Sequence, residues 1–185
     1  MTSSEALNTV LKTVLVTVLD TNIVLDLWLF DDPRTQGLRH ALHQGRLHWI
    51  ATTAMREELR RVLNYPHLAA RMAPNKPAGP TAQSLLQAFD QQATVLEDAP
   101  KAPCTCKDAD DQKFIDLAVA HRALLLSKDA QVLCMRRRLE RLGVALNPHI
   151  QPPPGFVVEA TQQAFYAALF HAAAPTEVAL AAQTV

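Results

Sequence analysis

The chain has 185 residues, 49% of them hydrophobic and 19% charged, with 18 Lys+Arg against 18 Asp+Glu. That length supports one compact domain with a sizeable core, and the composition is too apolar and too weakly charged for intrinsic disorder. A formal net charge of zero removes any global attraction for nucleic acid or an anionic membrane, so a polyanion partner has to be held by a local basic patch.

The apolar run 14–19 ends at Asp20, and 23–30 is almost wholly apolar, which predicts a strand passing into a buried helix. The stretch 13–30 is the nearest approach to a membrane span, but Asp20, Asn22 and Asp26 interrupt it. An Asp at a helix centre costs about 2.5–3.5 kcal/mol on insertion scales, so no membrane association is expected. Glu5 and the lack of a small-residue cleavage site argue against a signal peptide. Asp32-Pro33 then offers an N-cap and a first-turn proline for a helix over 33–44, stopped at Gly45. A second strand is expected over 47–51, and a helix to Asn64 follows, capped by Thr52 or Thr53 and ended by Tyr65-Pro66.

After a breaker cluster at 73–80 come a helix over 81–92, a strand at 94–96 and a proline-containing loop, 98–107. A helix over 110–122 leads into the strand 123–126, then a helix over 130–142 stopped by Gly143, and a last strand at 144–146. Strands alternating with helices predict a three-layer α/β/α sandwich with a mainly parallel central sheet. This assigns one domain to 1–150. The PPPG at 152–155 sets off an Ala-rich helical segment, 157–173, within an extension, 151–185, that is not an independent domain. Its apolar side, with Phe165 and Phe170, would suit a homodimer interface.

Several acids fall where acids are costly. Asp20 and Asp129 each follow a short apolar strand directly, and the carboxyl ends of strands in open α/β sheets are where ligands bind. Each could equally cap the helix that it precedes. On the helix 110–122 the apolar face is Phe114, Ile115, Leu117, Ala118 and Val119; Asp111 points into its middle and Asp116 roughly opposite. A carboxylate aimed inward needs a donor, a cation or a metal. On the helix 53–64 Glu58 flanks the apolar face and Glu57 lies almost opposite it, so Glu58 is the site candidate, or else a boundary acid paired with a nearby Arg. Four acids from four elements in one place would destabilise the fold unless something cationic sits among them. Carboxylate oxygens without Cys or His suit Mg²⁺ or Mn²⁺, and such an ion makes phosphoester hydrolysis the natural chemistry.

LDTNIVLDL after the first strand, EELRRVL, KDADDQKFIDLAVAH and LLLSKD after the fourth strand, in this order over about 14–150, resemble the PIN-domain family, and within it the prokaryotic toxin components of toxin-antitoxin modules. The resemblance implies a metal-dependent endoribonuclease in which Asp20, Glu58, Asp111 and Asp129 are the catalytic, metal-holding acids. It further implies Asn22 as a polar helper and Ser127 in the place where a Thr is common, with Asp108 and Asp110 as alternative ligands. Asp26, one turn after Asn22, would orient Asn22 or a metal water, or else sit on an exposed helix flank. A cognate antitoxin protein, inserting a basic side chain among the acids, is the implied partner besides RNA.

Arg136, Arg137, Arg138 and Arg141 follow the Asp129 motif on one helix, with Arg137, Arg138 and Arg141 pointing outward. Such a run is either a solvated face or an RNA-backbone contact that Lys128 and Arg122 extend toward the acids. Arg56, Arg60 and Arg61 beside Glu58 could serve likewise or meet antitoxin carboxylates. Cys104, Cys106 and Cys134 are odd in number and lack both disulfide-framework and zinc spacing, so free thiols in a reducing cytoplasm are expected. Trp28 and Trp49 read as core. Two other functions compete: a degenerate fold that binds RNA or protein without cutting, and an Asp-based phosphatase. The phosphatase is disfavoured because Asn22 stands where a second Asp would be needed.

Overall fold

The computed structural model describes residues 14–72 and 79–147. The segment 157–173 with its dimer face, the PPPG, Glu5 and most of the breaker cluster lie outside the described residues.

Leu15–Leu19 form β1, whose last three residues are buried, as expected of a strand covered on both faces. Helix α1 (Thr21–Trp28) follows at once, then a 3₁₀ turn at Pro33–Thr35 and α2 (Gln36–His43). Next come β2 (Leu47–Thr52), α3 (Thr53–Leu63), α4 (Pro66–Ala69) and a second 3₁₀ turn, Ala70–Met72. After these stand α5 (Ala82–Gln92), β3 (Thr94–Leu96), α6 (Gln112–His121) and β4 (Leu124–Leu126). The described chain closes with α7 (Ala130–Leu133), α8 (Arg136–Arg141) and β5 (Ala145–Leu146).

The five strands form one parallel sheet in the order β3-β2-β1-β4-β5. Helices cover both faces, giving the expected α/β/α sandwich. From β1 the chain winds outward through β2 to β3, then jumps back to lay β4 on the other side of β1. The winding therefore reverses between β1 and β4, and the strand ends that flank this reversal open a crevice. Registers of Leu19 with Leu126 and Thr17 with Leu124 put the first residues after both strands side by side. The core closes around Trp49, 1% exposed, whose ring lies 4.8 Å from Phe89 and 5.5 Å from Trp28. Among the described residues no helix is long and apolar enough to cross a membrane.

Every expected strand is present, and Gly45 and Gly143 take the positive φ angles, 63° and 81°, that let helices stop there. Two expectations need correction. The helix expected over 130–142 is two short helices, because at Met135 the N–H bonds Val132 O, three residues back, and the ladder tightens and restarts. Pro66 does not simply end helical structure but opens α4 at its first turn, where a proline forfeits no hydrogen bond. At α5 the Thr81 hydroxyl accepts from Ser84 N (3.0 Å) while Ser84 Oγ accepts from Thr81 N (2.9 Å). Thr81→Ala is expected to cost about 1 kcal/mol, read as a lower midpoint in urea denaturation with an unchanged slope.

Candidate active site

Asp20 leaves β1 at the reversal and is 3% exposed. Its N–H bonds Leu126 O at 2.9 Å, which ties it to β4. Its carboxylate caps α1 by accepting from Asn22 N (3.4 Å), and it also accepts from Asn22 Nδ2 (2.8 Å) and from the Ser127 hydroxyl. Burial raises its pKa; these hydrogen bonds oppose the rise and the charge of Glu58 adds to it. The cap and the site are thus one residue, since a strand end that opens a helix supplies both.

Asn22 fastens the two strand ends together: its Nδ2 donates to Asp20, and its Oδ1 accepts from Lys128 N at 3.1 Å. Ser127, fully buried, donates its hydroxyl to Asp20 while that oxygen accepts from Asp129 N at 3.0 Å. Asp129 in turn caps α7 through Gln131 N at 2.6 Å.

Asp111 stands at the N-terminus of α6 without making a side-chain cap, and its Oδ2 is buried with no hydrogen-bond partner. Its pKa is pushed up to about 7, first by burial and then by the charges of Asp20, Asp129, Asp108 and Glu58. These carboxylates lie within one another's field. Glu58, on α3, is ion-paired with the ammonium of Lys113, which also donates to the Asp110 carbonyl and lies 4.8 Å over the Phe114 ring. Among the described residues, no group of three or more His, Cys, Asp or Glu side chains is drawn together tightly enough to hold a metal ion as it stands.

The remaining acids stand apart. Asp110 turns outward, 3.7 Å from Arg61, and Asp108 accepts from Asp110 N at 2.9 Å. Asp26 is buried but pairs with the Lys128 ammonium rather than with Asn22. Glu57 is exposed and pairs with Arg60 at 2.7 Å. Asp116 pins the loop before α6 by accepting from Ala102 N and Gln112 Nε2. Of the basic set, Arg137, Arg138 and Arg141 are exposed, whereas Arg136 donates to Leu146 O at 2.7 Å. A groove of about 530 Å³, lined by Glu57, Glu58, Arg60, Arg61, Asp110 and Lys113 among others, adjoins the acids between α3 and α6. Burial pushes the Cys104 and Cys106 thiols up, away from reactive thiolates.

Two residues escaped the sequence reading. Asn147, buried with φ 49°, accepts from Ser127 N at 2.8 Å and returns its amide to the Ser127 carbonyl. A polar residue directly after a strand, the signal that marks Asp20, marks it too, whereas Asp129 stands beyond Ser127 and Lys128 at the end of β4. Lys113 carries no such signal, because its contact with Glu58 exists only once α3 and α6 are packed.

Residues 16–130 match the family model described as PIN domain. A solved structure, the crystal structure of VapBC2 from Rickettsia felis bound to a DNA fragment from their promoter, is similar at 14% identity, covering 72% of this chain and 98% of that chain, with a TM-score of 0.46. Comparison with curated proteins gives no match. Matched over well more than half its length, across all four acidic positions, the chain belongs to the PIN-domain family.

Proposed function

We propose that this protein is a Mg²⁺- or Mn²⁺-dependent endoribonuclease of toxin type, acting in the cytoplasm on RNA phosphodiesters. Members of its family are generally nucleases. The observation that supports the reading is the buried, unpartnered Oδ2 of Asp111, in a side chain that feels the charges of Asp20, Asp129, Asp108 and Glu58. An orphaned buried oxygen among like charges fits a hard cation, and the donor set, all carboxylate, fits Mg²⁺ or Mn²⁺.

Asp20, Asp111 and Asp129 would hold the ion, with Glu58 at the margin and Asp108 adding negative potential. When bound, the ion supplies a water of lowered pKa and neutralises charge on the phosphate. Asn22 and Ser127 fix the orientation of Asp20, so its oxygens need no reordering. The exposed guanidiniums of Arg137 and Arg138 contact the RNA backbone, with Arg136 and Lys128 behind them on the same segment. An antitoxin silences the site by placing a basic side chain among the acids, and the protein pairs as a homodimer.

Single-stranded RNA incubated with the purified protein is expected to be cut with Mn²⁺ present and left intact after chelation by EDTA. Cleavage that survives EDTA overturns the reading. Stoichiometric Mn²⁺ uptake with no cleavage of any RNA replaces it with a module that binds without cutting.

A further inference from the structure

We propose that Lys113 is a resident counter-ion that keeps Glu58 out of the metal-binding set, so that the protein takes up one divalent cation, at Asp20, Asp111 and Asp129, rather than two. The inference rests on the nuclease reading above and says how its site is divided.

Lys113 lies in the first turn of α6, two residues after Asp111, and its ammonium crosses to Oε2 of Glu58 on α3. The side chains are only 23% and 14% exposed. A pair this well covered does not exchange its partners with water as a surface pair does, and withdrawing either member leaves the other charge stranded. Two further contacts hold the ammonium in place, the Asp110 carbonyl and the Phe114 ring. The other acids are held differently. Asp20 is satisfied by neutral donors from Asn22 and Ser127, and Asp111 Oδ2 has no partner at all. The cluster therefore divides into a neutralised acid on the α3 side and uncompensated carboxylates around the strand ends. Fixed positive charge at Glu58 repels a second cation and stands in its place beside the incoming phosphate.

Calorimetric titration with Mn²⁺ tests the division. The natural protein is expected to bind one ion, and Glu58→Gln to bind one ion with affinity lowered by no more than about tenfold, since the substitution leaves the Lys113 charge uncompensated. Lys113→Met should bind two ions, or tighten the first by roughly tenfold as the repelling charge is removed. Lys113→Met combined with Glu58→Gln should return to one, and Lys113→Arg should stay at one because the charge remains. Two ions on the natural protein, or a loss of affinity in Glu58→Gln as deep as in Asp111→Asn, overturns the inference and leaves the nuclease reading standing. So does Lys113→Met titrating like the natural protein. No uptake by any of them removes both. The near-isosteric Glu58→Gln arm decides the matter should Lys113→Met fail to fold.

Discussion

Replacing Asp111 by Asn is expected to lower RNA cleavage by a factor of about 10³ or more, while making the metal-free protein more stable at neutral pH. On the proposed reading the loss follows from removing a metal ligand, the ion being worth several kcal/mol to the transition state. The gain follows from the carboxyl itself, whose pKa stands near 7 in the fold against an ordinary value of 3.8. Folding thus favours the protonated form, and its contribution is complete below about pH 4 and lost as the pH climbs through 7. The whole shift would amount to about 4 kcal/mol, but the side chain partly faces water, and screening reduces this to roughly 1–2 kcal/mol. Thermal denaturation in EDTA should therefore show Asp111→Asn melting roughly 3–6 °C higher at pH 8 and level with the natural protein at pH 4. Equal destabilisation at both pH values would make Asp111 a structural residue. Asp20→Asn is the poorer test, although burial raises Asp20 in the same direction. It accepts from Asn22 twice and from Ser127, and an amide there would set donor against donor.

Asn147→Ala should destabilise the fold by roughly 2–4 kcal/mol and reduce cleavage about tenfold. Ser127 is fully buried, and Asn147 satisfies both its N–H and its carbonyl; alanine offers neither partner, and each orphaned group costs about 1–3 kcal/mol. The effect on cleavage arises because Ser127 then positions Asp20 and Asp129 less firmly. Asn147 also has a φ of 49°, which costs an alanine some strain. Asn147→Gly separates the two causes: it relieves the strain but restores no hydrogen bond, so it should remain nearly as unstable in urea denaturation as alanine. Recovery of full stability by glycine would refute the account.

β1 and β4 were legible because each is a short apolar run closed by a polar residue, the pattern that central strands of a parallel sheet impose, whereas the edge strand β3 is largely exposed. Asp20 and Asp111 were legible for the opposite reason: both are charges in apolar surroundings that the local pattern does not justify. The break between α7 and α8 was not, since Val132, Met135 and Leu139 keep a helical spacing across it and are all buried. Nor was the ionic partner of Glu58. An Arg partner was only the alternative to a site role, and the four intervening elements between α3 and α6 hide Lys113 from any local rule. Asp26 illustrates the same limit, as its spacing from Asn22 suggested a contact that Lys128 takes instead.

Asp20 and the hydroxyl that steadies it, on Ser127, are 107 residues apart. A chain emerging from the ribosome has therefore made β1 and Asp20 long before the strand that completes their flank. Until then the first aspartate lacks its neighbour across the crevice, and Asp129 has not been synthesised. A chain that ends before Asp111 lacks Asp111, Ser127 and Asp129 altogether. On the proposed nuclease reading, competence to cleave therefore arises only late in synthesis, once the residues from Asp20 through Ser127 and Asp129 have all been made.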